Sequence, residues 1–190
     1  MDKQKKKTTV LPVSFILISF IIIAVFVVFL NSCQTKHVQS NLTNYKASNI
    51  VGYKNKPVVV DADFVPTMNL INSYAVKNNV QIYITSSYRN SNNNLKKVVA
   101  KPAAMSNHLI GHAIDMNIVY NGKWYDSKLI KKSNLKNLPS NVKNFLNEIR
   151  HTSNIRWGGD FKAQDPVHID DHYNKSTPNW TVKFNALHNS

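Results

Sequence analysis

Two short runs in this chain hold residue types that can act together on a water molecule. In Ser106-Asn107-His108-Leu109-Ile110-Gly111-His112-Ala113-Ile114-Asp115 a histidine and an acid stand seven residues apart; in Asp165-Pro166-Val167-His168 a second histidine follows an acid by three. Catalytic zinc takes three protein ligands and keeps a fourth position for water. Three nitrogen or oxygen ligands and one free carboxylate to move the proton of that water are the minimum for metal-assisted hydrolysis. The chain has one cysteine, Cys33, so neither a disulfide framework nor a cysteine-based zinc knuckle is available, and a metal site has to be built from histidine and aspartate.

The surrounding pattern predicts the elements that position these residues. Ala113 to Tyr120 alternates, with Ile114, Met116 and Ile118 on one side and Ala113, Asp115 and Asn117 on the other, so Asp115 leaves the packed face of a strand. Asn121-Gly122 is a preferred pair for a tight hairpin turn, and Lys123-Trp124-Tyr125 begins a returning strand. His108 falls in a loop or strand entry, where Gly111 lets the backbone pass close by. Val167-His168-Ile169 reads as a short neighbouring strand that brings His168 to the same cleft. Upstream, Val58-Val59-Val60 and Val80 to Thr85 read as strands, Val65 to Asn78 as a helix, and Ser86 to Asn94 as a polar loop carrying Arg89. Val142, Phe145, Leu146 and Ile149, opened by Pro139 and Ser140, mark a helix over Leu138 to Arg150. Strands with a few helices and no regular βαβ alternation define an α+β domain around an antiparallel sheet.

A lone histidine is more often a surface or satisfied core residue than a ligand, and the chain has seven. The joint pattern is more specific. Ser-x-His-x-x-Gly-x-Ala-x-Asp, then Arg-Trp-Gly-Gly-Asp-Phe at 156–161, then Asp-x-x-His, with Ser86-Ser87-Tyr88-Arg89 upstream, resembles the VanY-like zinc peptidases. These are the D-alanyl-D-alanine carboxypeptidases and the L-alanyl-D-glutamate endopeptidases, which cut peptidoglycan stem peptides on a hedgehog/DD-peptidase type of fold: an antiparallel sheet flanked by helices around a zinc cleft. The resemblance spans roughly residues 57–174. It implies His108, Asp115 and His168 as zinc ligands, Asp165 as general base, and Arg89 as the contact for substrate and oxyanion. Two departures are Asp165 where many relatives carry Glu, and Ile169-Asp170 where many carry Phe-Glu.

Each of these residues also has a plainer reading. Asp165 before Pro166 is a common turn former, Arg89 is an ordinary partner for a surface salt bridge, and Ser106 is as well suited to capping backbone as to meeting substrate near the metal. Asp160 is read as a carboxylate that orients a ligand histidine, or else as a turn cap. Trp157, Gly158 and Gly159 are expected to shape the wall of the cleft. His112, together with His37, His151, His172 and His188, is assigned a structural part.

The rest of the chain concerns where such a domain works. Residues 10–30 form a 21-residue run without a charge, preceded by four lysines in Met1 to Lys7. A helix of that length reaches about 30 Å, enough to span a bilayer core, and the lysines predict that the body lies outside the cytoplasm. Leu30-Asn31-Ser32-Cys33 resembles a bacterial lipoprotein lipobox, so a retained span, a lipidated Cys33 and a cleaved signal all stay open. Residues 34–55 are polar and read as a tether, leaving 56–190 as one peptidase-sized domain. Net charge is +14, of which roughly +11 belongs to residues after Lys7. This suits anionic surroundings such as cell-wall polymer or lipid headgroups. No recognition helix or aromatic-and-basic motif points to nucleic acid. The expectation is a membrane-attached, outward-facing zinc peptidase, against a zinc-containing binding module of the same fold without turnover.

Overall fold

The computed structural model describes residues 41–91, 100 and 103–188. The apolar run of residues 10–30, Cys33 and His37 lie outside them, as do the first part of the expected tether and the end of the loop after Arg89. Among the described residues no helix is long and apolar enough to cross a membrane.

The fold is α+β. Its strands are β1 (Leu42–Tyr45), β2 (Ile50–Gly52), β3 (Val58–Asp61), β4 (Gln81–Ser86), β5 (Ala113–Tyr120), β6 (Lys123–Tyr125), β7 (Arg156–Trp157) and β8 (His168–Asp170). The helices are α1 (Val65–Lys77), α2 (Ser140–His151) and α3 (Thr177–His188). A main sheet runs β2-β4-β5-β8-β7, with β6 also paired to β5, while β1 and β3 form a separate antiparallel ribbon.

The main sheet is mixed, which corrects the expectation of an antiparallel one. β2 and β4 run parallel, with Val51 opposite Tyr83; the remaining pairs are antiparallel. The chain between β2 and β4 contains β3 and α1, and a crossover with a helix is what a parallel pair requires. Within the polar stretch of residues 34–55 the structure places two short strands, β1 and β2. Composition hid them, because short edge strands need few apolar residues: β1 buries only Tyr45, and the hydroxyl of that residue donates to Asn69 Oδ1 at 3.0 Å.

The alternation in β5 works as the spacing predicts. Ile114, Met116 and Ile118 are fully buried, as are Ile82 and Ile169 on the neighbouring strands. The helices close that side of the sheet, α1 through Met68, Ile71 and Ala75, and α2 through Val142, Phe145, Leu146 and Ile149. Each such side chain contributes about 1.5–3 kcal/mol when fully buried. The sheet is thus a firm plate, and what stands on its other face is positioned by strand register.

Helix α3 has no counterpart in the sequence reading. It packs Trp180 on Leu109 and Ile110, with Phe184 and Leu187 partly buried beside them, and so roofs the turn that carries His108. Its inward position 183 is a lysine, which breaks the apolar periodicity that would otherwise announce the helix. Lys183 is fully buried and donates to Asp61 Oδ1 at 2.6 Å, with Asp63 Oδ2 at 3.0 Å.

Candidate metal centre

Three elements supply three side chains. His108 lies in a 3-10 turn, Asn107–Ile110, that ends at Gly111 with φ 74°, a left-handed conformation that disfavours other residues. A Cβ at Gly111 would also meet the backbone nitrogen of Asp61. Asp115 stands on β5 and His168 directly opposite on β8. Directly opposed residues share a face of a sheet, so both point away from the helices.

The ligand atoms form a nearly equilateral triangle. His108 Nε2 is 3.1 Å from Asp115 Oδ1 and 3.2 Å from His168 Nδ1, and His168 Nδ1 is 3.2 Å from Asp115 Oδ1. Ligands about 2.0–2.1 Å from a shared tetrahedral zinc lie roughly 3.3 Å apart, so the spacing fits that ion. These three residues are also the group of histidines and acids, among the described residues, whose ligand atoms come close enough to hold a metal.

Hydrogen bonds behind the rings fix which nitrogens face inward. His108 Nδ1 is 2.7 Å from the Ser87 carbonyl, which can only accept, so Nδ1 carries the proton and Nε2 offers its lone pair. His168 Nε2 donates to Asp170 Oδ2 at 3.0 Å and leaves Nδ1 bare. Asp170 is itself held by Arg156, whose Nε and Nη2 each donate at 2.6 Å. Two lone pairs and a carboxylate oxygen therefore converge with no proton among them, which is unfavourable unless a cation lies between. Without a metal the same charges favour a proton in that place: burial would lower the His168 imidazole, but Asp115 and Asp170 more than offset it and raise it to about 9, so a bound cation and this proton compete for one position. Burial would raise Asp115, yet the two histidines hold it well below the usual carboxylate range.

Asp165 sits beside this cluster and stays outside it. Its backbone amide donates to the Gly158 carbonyl at 2.9 Å and its carbonyl accepts from His168 at 3.0 Å, so the turn before β8 is fixed at both ends. The side chain is half-buried, and its Oδ1 has no hydrogen-bond partner among the described residues. Burial first, then the charge of Asp115, raises its carboxyl. That suits a group meant to take a proton. The turn reading is therefore correct for its backbone and leaves its carboxylate free for chemistry.

Arg89 forms no ion pair among the described residues. Its Nη2 donates to Ser106 Oγ at 3.4 Å, while its buried Nε has no partner among them. Burial pulls its pKa down; the charges of Asp115 and Asp165 act against this. Ser106 is buried and turned to Arg89, and the Arg89 backbone amide donates to the His108 carbonyl at 3.0 Å, which ties the two segments together.

Asp160 is elsewhere. Its carboxylate accepts from Arg150 Nε at 2.7 Å and Nη2 at 3.1 Å, and pairs with Lys132 Nζ at 2.8 Å, near the surface. The carboxylate that orients a ligand histidine is Asp170. The signal for it was present in the sequence: two residues after His168 on a strand is the same face. Trp157 is buried in the core and does not line the cleft; its indole donates to the Pro166 carbonyl at 2.6 Å and steadies the same turn. A Cβ at Gly158 would strike the Asp165 carbonyl and crowd His168, which is why the chain needs glycine there. His112 is structural in a stronger sense than expected: it is buried, with Nδ1 2.6 Å from Asp171 Oδ2 and Nε2 3.5 Å from Asp61 Oδ1.

The donor set could hold a metal ion, and a free acid stands beside it. Residues 100–171 match the family model described as D-alanyl-D-alanine carboxypeptidase, which supports the VanY-like resemblance of the motifs over that stretch. The matched stretch includes His108, Asp115, Asp165 and His168, and it leaves out Arg89. No curated protein matches the chain.

Proposed function

We propose that the chain is a zinc-dependent peptidase that hydrolyses short peptides containing D-amino acids, the stem peptides of peptidoglycan above all. The observation that carries this reading is the triangle of bare ligand atoms on His108, Asp115 and His168, with a free carboxylate oxygen on Asp165 beside it. Those three residues would hold the ion. Zinc in such a site brings the pKa of water to about 7 and polarises a carbonyl as a Lewis acid.

The other residues supply the remaining work. Asp165, its carboxyl raised by burial and by the charge of Asp115, takes a proton from the attacking water and returns it to the leaving nitrogen. Arg89, whose Nε has no partner among the described residues, presents its guanidinium to a substrate carboxylate or to the oxygen that gains charge. Ser87 and Asp170 hold the two imidazoles in the tautomers that face inward. The lysines before residues 10–30 and the apolar run itself support attachment to a membrane with the body facing outward. The basic body suits an anionic wall.

The test is metal content together with hydrolysis, measured on the full chain offered a muropeptide pentapeptide with and without a chelator. The expected result is one zinc per chain, with loss of cleavage on chelation. Asp165→Asn is expected to keep the metal and to lose about 10²-fold or more in rate. Zinc bound without cleavage would turn the reading to a binding module, and a chain that binds no zinc would overturn it.

A further inference from the structure

The face of the sheet that bears the metal ligands does not end at them. Along β5, Asn117 and Val119 follow Asp115 on the same side, about 7 and 14 Å farther on. Tyr83 lies opposite Asn117, and Trp124 opposite Val119. The side chains on this face are half-buried or exposed, while Ile82, Ile84, Met116 and Ile118 on the other are buried. Three rings gather there: Trp124 is 4.6 Å from Tyr83 at 44° and 6.0 Å from Tyr53 at 84°, centroid to centroid. Trp124 and Tyr53 are 41% and 40% exposed, far more than a core aromatic. Trp157 and Trp180, by contrast, are buried.

We infer that Tyr53, Tyr83 and Trp124 form a subsite for a sugar ring of the glycan to which the stem peptide is attached. An indole flanked by two tyrosines at an angle makes a corner, and a pyranose offers it a flat apolar face of C–H bonds. Polar groups stand at its edge to meet hydroxyls and acetamides: the Asn117 amide on β5, the Tyr83 hydroxyl, which donates to Gln81 Oε1 at 3.2 Å, and the Lys54 ammonium 5.6 Å from the centre of the Tyr53 ring. Each ring carries a polar tip, as interface aromatics do. Its place on the sheet face of Asp115 and His168 makes one continuous track. A peptide of a few residues bridges the distance from sugar to metal at about 3.3 Å per residue. Binding energy gained at a remote sugar is available to hold the reacting bond in place.

This subsite rests on the peptidase reading for its purpose but not for its existence, and two arms separate them. The first uses no chemistry: anisotropy of a fluorescently labelled β-1,4-linked N-acetylhexosamine hexamer, titrated with the full-length zinc-loaded chain. Saturable binding is expected, and Trp124→Ala and Tyr53→Ala should each weaken it about five- to tenfold. Tyr53 belongs to a turn with no buried residue, so its replacement tests the site even if Trp124→Ala folds poorly. Asp165→Asn should bind the hexamer as the parent does. The second arm compares kcat/KM for a glycan-attached stem with that for the free peptide. The ratio is expected to exceed one in the parent and to fall toward one in Tyr53→Ala. Absence of hexamer binding, equal binding by the variants, or engagement of the rings by anionic vesicles alone would overturn the subsite. Hexamer binding without any cleavage would overturn the peptidase reading and leave the subsite standing.

Discussion

Asp160 and Asp170 show how much depends on which carboxylate a histidine meets. Asp170 accepts from His168 Nε2 and is clamped by Arg156, so it fixes the ring that offers Nδ1 to the metal. Replacing it with asparagine is expected to weaken zinc about 10- to 100-fold, as loss of such a partner usually does; competition with a chelating dye measures this. Asp160→Ala should leave zinc affinity where it is and cost at most about 1 kcal/mol, the ordinary worth of an exposed ion pair. The same titration and a thermal melt read both outcomes. If Asp160→Ala loosened the metal, the assignment of the orienting carboxylate to Asp170 would be wrong.

At the scale of elements, strand register does the positioning, and that part was legible before any coordinates. The alternation of Ile114, Met116 and Ile118 put Asp115 on the open face, and the heptad-like spacing of Val142, Phe145, Leu146 and Ile149 gave α2 almost to the residue. What was not legible had physical causes. Edge strands β1 and β2 bury too few side chains to mark a polar stretch as folded. The parallel pairing of β2 with β4 depends on the path of a crossover, which local pattern does not encode. α3 presents a lysine to the interior, so its period is broken where it matters most. Asp160 and Asp170 stand eight residues before and two after His168, and spacing alone does not say which of the two carboxylates meets its ring. Gly158 belongs to the same scale: its Cα lies against the turn that holds Asp165 and His168. Gly158→Ala should destabilise the fold by about 2–3 kcal/mol and reduce zinc affinity as the turn is pushed outward. A melt of the metal-free chain separates the two effects.

For the molecule as a whole the decisive feature is the buried charge cluster under α3. Lys183 meets Asp61 and Asp63, while His112 lies between Asp61 and Asp171. Burial alone would raise Asp61, but the bonds from His112 and Lys183 hold it well below the usual carboxylate range. Burial would lower Lys183, but Asp61 and Asp63 raise it. A carboxylate with a depressed folded value contributes stability above its unfolded pKa, near 3.9, and loses it as pH falls toward the folded one. An ammonium with a raised folded value contributes fully below its unfolded pKa, near 10.4, and loses it as pH rises through the folded one. The pair alone gives a plateau between those limits, and His112, which burial would lower but Asp171 and Asp61 raise, adds stability that is full below its unfolded pKa near 6.5 and is lost as pH rises through its folded value. Asp61→Asn is expected to lower that plateau by about 3–5 kcal/mol, because it leaves a buried lysine without its closest partner. It should also remove Asp61's share of the loss on the acid side. Melting temperature against pH, for the parent and the variant, checks both.

The bond between Lys183 and Asp61 joins residues 122 positions apart. It also fastens the roof over the turn that carries His108. A chain is made from its N-terminus, so the sheet and the side chains of His108, Asp115 and His168 exist before the residues of α3 that close over the turn of His108. Contacts of such long separation form late, because the loop they close is costly to order. Translation therefore imposes a sequence on maturation. A nascent chain halted before Thr177 holds His108, Asp115 and His168 but not the helix that roofs the turn of His108, so that turn is braced only once α3 has emerged and docked.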